Sequence, residues 1–167
     1  MKLDIIIVDL ILIAAVALPY ILFILLGKKE EGGLKSKFFE EVKKNELHLQ
    51  EKDKWNTNIV GLDKEKAKII IVQKRKAGFV TELIDLRQVQ ACSILQETQT
   101  LKLNKRTANI LQKIDLQFIL FDGSIQIINL FNCEETFSQE YELVNAEKWN
   151  QIINKSLVNR PIVNSAA

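Results

Sequence analysis

The segment KIDLQFILFDGSIQIINLFN, Lys113–Asn132, contains the strongest local folding signal in the sequence. Two runs of alternating apolar residues flank Asp122 and Gly123, a dipeptide that favours a two-residue β-hairpin turn. Such a turn sets a register whose facing pairs are Leu120 and Ile125, Phe118 and Ile127, Leu116 and Asn129, and Ile114 and Phe131. That face is apolar apart from Asn129, whereas the other face is mixed. The segment therefore predicts an antiparallel hairpin with one face in the core.

Several further strand signals precede this hairpin. They are short runs of alternating or continuous apolar residues, at Leu47–Gln50, Asn58–Asp63, Lys68–Lys74, Phe79–Leu86 and Ala91–Gln96. The polar loop 64–67 joins the second and third runs as a hairpin. The mostly polar stretch 97–112 interrupts the pattern, and it is either a long loop or a splayed hairpin that carries Leu101 and Leu103. The middle of the chain is thus predicted to be mainly antiparallel β-structure.

One amphipathic helix is predicted to follow the strands, from Asn145 to Leu157. Asn145 is a suitable N-cap, and Pro161 ends the helical pattern. The apolar residues of the helix recur at helical spacing on one stripe, namely Ala146, Trp149, Ile152, Ile153 and Leu157. A strand-rich domain with a single amphipathic helix predicts a curved sheet or barrel whose open end the helix covers, with Trp149 in the core.

The N-terminal part of the chain is strongly apolar. Leu10–Leu26 reads LILIAAVALPYILFILL, and the apolar stretch extends upstream to Ile5. A helix needs about 20 apolar residues to cross a bilayer core of about 30 Å, and the stretch meets that length. A cleaved signal peptide is the alternative, but the core is too long and lacks a small-residue cleavage site. We therefore predict that residues 1–27 form a retained transmembrane helix.

The flanking lysines predict an orientation for this helix. Lys2 precedes the stretch, whereas six lysines follow it closely, at positions 28, 29, 35, 37, 43 and 44. Basic residues concentrate on the cytoplasmic side of a membrane. The expectation is a single-pass inner-membrane protein, an integral partner of the membrane, with its N-terminus outside and its C-terminal domain in the cytoplasm.

Residues 28–46 are predicted to be a juxtamembrane linker with a short helix. Glu30–Gly33 has the composition of a flexible joint, and Ser36–Glu46 then has Phe38 and Phe39 on one side. This helix either lies on a lipid surface or packs its aromatic side chains on the domain, and its balanced charges favour packing. The domain proper is predicted to span residues 47–158, followed by a tail at 159–167.

Composition and motifs exclude several classes of function. The chain is 47% hydrophobic and 26% charged, with a formal net charge of +2, which is too weak for a nucleic-acid partner. Cys92 and Cys133 are far apart, which favours two reduced core cysteines over a disulfide or a metal site. His48 is the only histidine, and no phosphate-binding or nucleophile motif is present. We expect no metal site, no cofactor and no enzymatic activity.

A family resemblance rests on the order of several segments. These are Trp55, Ile59–Asp63, Lys68–Val72, Leu83–Leu86, Asp115–Phe118 and Ala146–Trp149. In this order the chain resembles bacterial PH-like domains, and more narrowly small uncharacterised bacterial membrane proteins that pair one N-terminal span with such a domain. The resemblance implies an α+β chain with a transmembrane helix, then a PH-like, seven-stranded, partly open antiparallel β-barrel capped by a C-terminal α-helix. It implies binding or scaffolding rather than catalysis.

Two basic loops are the candidate binding surface. Their cations are Lys64, Lys66, Lys68, Lys74, Arg75 and Lys76. The main hypothesis is a non-catalytic, membrane-anchored interaction or scaffold module in the cytoplasm that binds a protein or peptide partner. The alternative is a sensor of anionic lipid headgroups at the inner membrane surface, because basic side chains near such a surface gain about 1 kcal/mol each. A purely structural explanation for the same residues is that they belong to ordinary solvated loops. The third hypothesis for the role of the chain is an enzyme with an unrecognised site.

Overall fold

The computed structural model describes residues 2–103, 106–135 and 141–158. Along the chain the elements are α1 (Lys2–Lys44), β1 (Glu51–Trp55), β2 (Asn58–Asp63), β3 (Lys68–Arg75), β4 (Gly78–Asp85), a short 3-10 helix (Leu86–Gln88), β5 (Val89–Leu103), β6 (Arg106–Leu120), β7 (Ile125–Asn132) and α2 (Glu142–Val158). The predicted tail at 159–167, with the helix end at Pro161, lies outside the described residues.

The strands form two antiparallel sheets. The first has the order β1-β2-β3-β4 and the second the order β5-β6-β7. Within the described ranges no backbone ladder joins one sheet to the other, so the predicted PH-like, partly open β-barrel is wrong. The physical reason why the sheets do not join is found at their edge strands. Helix α2 occupies the gap between β1 and β5, and side chains rather than backbone groups bridge β4 and β7. The fold class is α+β with two sheets.

The main hydrophobic core lies between the two sheets and α2. It contains Val60, Leu62, Ile69 and Ile71 from the first sheet, Ile114, Leu116 and Phe118 from the second, and Ala146, Trp149 and Ile153 from α2. Trp149 is completely buried, so its predicted place in the core is confirmed. The helix begins at Glu142, before the predicted cap Asn145, and the Asn145 side chain instead donates to the Tyr141 carbonyl at 2.9 Å.

A second hydrophobic core covers the outer face of the first sheet. Leu34 and Phe38 of α1 pack there on Ile59, Ile70 and Val72. These three residues alternate along their strands with the residues that face the main core. Because both faces of β3 are covered, the continuous apolar run in that strand is buried throughout. The predicted packing of the Phe38 segment on the domain is confirmed. The predicted joint at Glu30–Gly33 lies inside α1, which is one continuous helix.

The predicted transmembrane anchor is not supported. In residues 2–103, 106–135 and 141–158, no helix combines the length and the apolarity that a membrane crossing requires. The predictions of a single-pass transmembrane helix, an integral membrane partner and an inner-membrane location with the N-terminus outside are therefore wrong.

The register of the β6–β7 hairpin differs from the predicted one. Its turn holds three residues, because Gly123 has φ +83° and Asp122 Oδ1 accepts from the Ser124 backbone N–H at 2.8 Å. This turn places Ile119, not Leu120, opposite Ile125. A bulge at Leu130 then restores the predicted pair of Ile114 and Phe131. Consequently Ile128 is buried and Ile127 is exposed.

Two other segments refine the strand assignments. The first strand is Glu51–Trp55, so the strand predicted at Leu47–Gln50 is wrong. The stretch 97–112 belongs to a hairpin rather than a loop, because the long strands β5 and β6 remain paired along it. The pairing runs from Glu97 opposite Lys113 to Leu103 opposite Arg106. This ribbon extends beyond β7, which pairs with β6 only between Lys113 and Ile119.

Candidate functional site

The six predicted binding cations do not form one surface. Lys64, Lys66 and Lys68 lie at the turn between β2 and β3, whereas Lys74, Arg75 and Lys76 lie at the turn between β3 and β4. These turns are at opposite ends of β3, and a strand of that length spans roughly 23 Å at about 3.3 Å per residue. The structure therefore divides the predicted site into two separate groups.

The first group is engaged by neighbouring acceptors. The Lys64 ammonium lies 2.5 Å from Glu51 Oε1, and the Lys66 ammonium donates to the Glu46 carbonyl at 2.6 Å. Lys68 pairs in the ladder with Asp85, and together with Arg87 it holds the pKa of that carboxyl below its ordinary value, with the Arg87 hydrogen bond as the main cause. These contacts resemble those of an ordinary solvated turn.

The second group holds the loop that follows β7. Arg75 Nη1 lies 2.9 Å from Glu135 Oε2, and Lys76 Nζ donates to the Glu134 carbonyl at 2.8 Å. Arg75 Nη2 donates to Gln73 Oε1 at 3.0 Å and also to the Asn129 carbonyl. The Arg75 side chain is only 15% exposed. Arg75 therefore connects the first sheet to the second rather than projecting into solvent.

One side of the two-sheet arrangement is closed by α2. The side chain of Asn154 accepts from the Cys92 N–H at 3.3 Å and donates to the Cys92 carbonyl at 2.8 Å, so it occupies the edge of β5. On the same side, Lys148 Nζ lies 2.7 Å from Asp53 Oδ2 on β1. The helix thus covers the edge of β5 and reaches β1 through this ion pair.

The opposite side, between the edge strands β4 and β7, carries no helix in the described part of the chain. We call this gap the seam. It contains an open depression of about 370 Å³ lined by Gln73, Arg75, Val80, Glu82, Lys113, Ile127, Ile128, Asn129, Asn132 and Glu135. Val80 and Ile127 are exposed apolar residues on its two sides. The seam is the concave feature to which both sheets contribute an edge.

The base of the seam is a buried polar network. The bulge at Leu130 turns two carbonyls away from the β6 ladder. Gln73 Nε2 donates to the Asn129 carbonyl at 2.8 Å, and Asn58 Nδ2 donates to the Leu130 carbonyl at 2.9 Å. Asn58 and Gln73 are buried, and buried amides are costly unless they are hydrogen-bonded. These bonds therefore join β7 to β2 and β3 of the first sheet.

The charges that line the seam are balanced. Arg75 is paired with Glu135, and Lys113 lies 2.8 Å from Asp115 Oδ2. The hydrogen bond that Lys113 donates to Asp115 raises the pKa of Lys113, so this ammonium stays charged at neutral pH. Glu82 accepts a hydrogen bond from Gln126 at 3.3 Å. The seam is consequently suited to neutral polar groups and apolar side chains rather than to an anion.

The residues considered for chemistry have structural roles. Asp63 accepts from the backbone N–H groups of His48 and Lys66, at 2.7 and 2.8 Å, and Asp122 accepts from Ser124. His48 is exposed, and both cysteines are free. In the described ranges no three His, Cys, Asp or Glu side chains come close enough together to hold a metal ion.

Sequence reasoning missed the seam. The hydrogen bonds of Asn58 at its base join residues 15 and 72 positions apart along the chain, and these residues belong to no motif. The available signal was the presence of Asn58 and Gln73 in strands with apolar neighbours, since buried amides in strands need partners from elsewhere. Comparisons of the chain with protein-family models, with curated proteins and with solved structures give no match.

Proposed function

We propose that this chain is a non-catalytic protein-interaction module that binds an extended segment of a partner protein in the seam. The observation that carries the proposal is that β4 and β7, edge strands of different sheets, face each other across a cavity with apolar residues on both sides. An edge strand presents backbone groups that can pair with an added strand, and β4 is such an edge. On β7, two carbonyls are already bound by Asn58 and Gln73.

The chemistry of the seam favours a peptide of extended, aliphatic character. Val80 and Ile127 would contact alternate side chains of a bound strand, which point to the same side every second residue. The paired charges of Arg75 with Glu135 and of Lys113 with Asp115 leave little attraction for a charged ligand. Backbone hydrogen bonds would supply affinity, and the apolar contacts would supply selectivity.

The lipid-sensor alternative has less support. Its six cations lie in two groups at opposite ends of β3, and Lys64, Lys66, Arg75 and Lys76 each have an acceptor within the protein. Binding of an anionic headgroup would have to compete with these contacts. No observation in the described residues favours this alternative over the peptide.

The proposal can be tested by selecting a random peptide library on the full-length chain and measuring the affinity of the enriched peptides. We expect sequences with alternating aliphatic residues. Ile127→Lys places a charge on the β7 edge and should weaken binding by about tenfold or more. Leu95→Lys is a matched control, because Leu95 is also an exposed aliphatic residue of the second sheet but lies on β5.

Unfolding midpoints of both variants should stay close to that of the unmodified chain, since surface substitutions cost about 0.5 kcal/mol or less. A library that yields no enriched peptide would reject the proposal. Equal loss of binding in Leu95→Lys and Ile127→Lys would place the peptide somewhere other than the seam.

A further inference from the structure

The edge strand β4 (Gly78–Asp85) differs from the other three edge strands of the two sheets. Proteins prevent unwanted strand addition with edge charges, bulges or covering elements. β1 has charged side chains at four of its five positions, β5 has a bulge at Gln90 and carries Asn154 on its edge, and β7 has the bulge at Leu130. The pairing of β4 with β3 is regular over all eight residues, and Glu82 is the only charge before its last position. Among the edges in the described part of the chain, β4 is therefore the one open to strand addition.

The backbone pairing shows which groups of β4 face outwards. The Lys74 N–H donates to the Thr57 carbonyl at 2.8 Å, so the even-numbered residues of β3 bond β2 and the odd-numbered ones bond β4. In the register of β3 and β4, each odd-numbered residue of β3 lies opposite an even-numbered residue of β4. The N–H and C=O groups of Phe79, Thr81 and Leu83 are therefore directed to the free edge.

The side chains of the same three residues lie on the outer face of the first sheet. Ile84 belongs to the main core, and alternation along the strand places the odd-numbered residues on the opposite face. Phe79 is 44% exposed and Leu83 is 37% exposed. The free edge of β4 thus carries one exposed apolar side chain two positions before Thr81 and another two positions after it.

We infer that β4 pairs in antiparallel fashion with β4 of a second copy of this chain, about a twofold axis at Thr81. In this register Phe79 of each copy lies opposite Leu83 of the other, and the two Thr81 residues lie opposite each other. All these residues direct their backbone groups outwards, so every pair forms ladder hydrogen bonds. The two four-stranded sheets become one sheet of eight strands. Such an isologous contact closes as a dimer.

The neighbouring registers are less favourable. Outward-directed residues must lie opposite one another, so the axis moves along β4 in steps of one residue. An axis at Glu82 would place two carboxylates directly opposite each other, which is destabilising. An axis at Val80 would place Leu83 opposite Ala77, in the turn before the strand. Only the axis at Thr81 pairs apolar side chains with apolar side chains on both sides.

The inference rests on the proposed function in one respect, namely that β4 accepts an added strand. It goes further because it names that strand and its register. It makes no use of β7, whereas the proposed peptide site needs the apolar side chains of both β4 and β7. The two proposals can therefore fail separately.

The test is sedimentation of the full-length chain over a range of protein concentrations, which should show a monomer–dimer equilibrium. Leu83→Lys places a charge opposite Phe79 on both sides of the axis and should weaken dimerisation by about tenfold or more. Leu95→Lys is the matched control, because Leu95 is 40% exposed and lies on β5, an edge strand of the other sheet. The dimerisation constant of this control should stay within about twofold of that of the unmodified chain.

A second variant acts on the backbone. Thr81→Pro removes the N–H at the centre of the contact, and this N–H makes no ladder bond within one copy, which is the position where an edge strand accepts proline. We expect this variant to remain folded, as judged by its unfolding midpoint, and to sediment as a monomer. A folded Thr81→Pro variant that still dimerises like the unmodified chain would overturn the inference.

Cross-linking tests the register. Facing residues of a hydrogen-bonded antiparallel pair have Cα atoms about 5.5 Å apart, within the range of a disulfide. Thr81→Cys in a Cys133→Ser background should therefore give a disulfide-linked dimer on oxidation. Glu65→Cys in the same background is the control, because Glu65 is exposed in the turn between β2 and β3 and should give no such dimer.

The outcomes separate the two proposals. A chain that stays monomeric at every concentration, equal weakening by Leu83→Lys and Leu95→Lys, or a dimer that Thr81→Cys does not cross-link would overturn the inference. A monomeric chain whose library peptides lose affinity in Ile127→Lys would keep the proposed peptide site. A cross-linked dimer from a chain that enriches no peptide would support the β4 contact and remove the peptide site.

Discussion

The ring of Phe38 on α1 lies against the backbone of Gly61 in β2. A Cβ atom built on Gly61 would be 3.0 Å from Phe38 Cζ and 2.7 Å from Leu49 Cδ1, closer than side chains tolerate. Gly61 therefore permits the contact between the helix and the outer face of the first sheet. The position of α1 on the domain depends on this missing side chain.

Gly61→Ala should destabilise the protein by about 1–3 kcal/mol, because the added methyl group overpacks the second core. Urea unfolding of the full-length chain measures the change. Gly32→Ala is the matched control, since Gly32 lies in α1 with no atom within 4 Å of an added Cβ. Alanine is the better helix former, so this variant should gain up to about 1 kcal/mol. If both variants shifted the midpoint alike, the close contact at Gly61 would not matter for stability.

Trp149→Ala should cost about 3–5 kcal/mol, because it removes a completely buried ring from the main core. Trp149→Phe should cost much less. The indole Nε1 is buried without a hydrogen-bond partner in the described residues, so its removal breaks no bond. Glu147→Ala, an exposed neighbour on α2, should stay within about 0.5 kcal/mol. Unfolding midpoints for the three variants provide the comparison, and a small effect of Trp149→Ala would contradict the role of α2 in the core.

Glu142 should make stability depend on pH. Burial raises the pKa of its carboxyl above the ordinary value of 4.5, against the opposing hydrogen bond from Asn56. A raised pKa in the folded state means that the folded protein favours the protonated form. The contribution of Glu142 to the free energy of unfolding is fully present below pH 4.5 and is lost as the pH rises through the pKa of the folded state.

Replacing Glu142 with glutamine should remove this dependence and stabilise the chain at pH 8, because the amide keeps an acceptor for Asn56 and cannot ionise. The measurement is the difference in urea midpoint between the variant and the unmodified chain from pH 5 to pH 8. Glu147→Gln, on the exposed side of the same helix, should show no such trend. A difference that stayed constant with pH would refute the buried-carboxyl explanation.

The two cysteines should differ in reactivity. Burial raises the pKa of the Cys92 thiol to about 12, so its thiolate fraction at pH 8 is on the order of 1 in 10,000. Cys133 is only half-buried, and its sulfur lies 2.8 Å from Gln112 Oε1. We expect a thiol reagent at pH 8 to modify Cys133 first and Cys92 only after unfolding. Cys133→Ser should abolish the reaction of the folded chain, whereas rapid modification of this variant would show that Cys92 is accessible.

Much of the local structure could be predicted from the sequence. The bounds of β2 agree with the prediction, those of β3 and β4 agree within a residue, and the buried stripe of α2 includes Trp149 as expected. These features depend on the alternation of apolar residues, which is a property of neighbouring positions. The packing of Phe38 was also predictable, since the charges around it matched a helix on a domain better than one on a lipid surface.

The membrane span and the basic surface show where local pattern was insufficient. The apolar stretch at Leu10–Leu26 satisfied a length rule, but no helix among the described residues meets the requirements of a span. The basic residues of the two loops have the pattern of a binding surface, but Arg75 is paired with Glu135, sixty positions away in the chain. The pairing of Arg75 depends on a residue that is distant in the chain, which a local charge pattern does not reveal.

By itself the sequence determined where β2, β3 and β4 lie, because side-chain direction in a strand alternates with a period of two and the apolar residues of these segments follow that pattern or form continuous runs. Only the tertiary structure decided how those strands combine. The three-residue turn at Asp122 and the bulge at Leu130 shift the register of β7, and the freed carbonyls are then bound by Asn58 and Gln73 of the other sheet. The seam exists because these groups, distant in the chain, satisfy one another's hydrogen bonds when they are buried together.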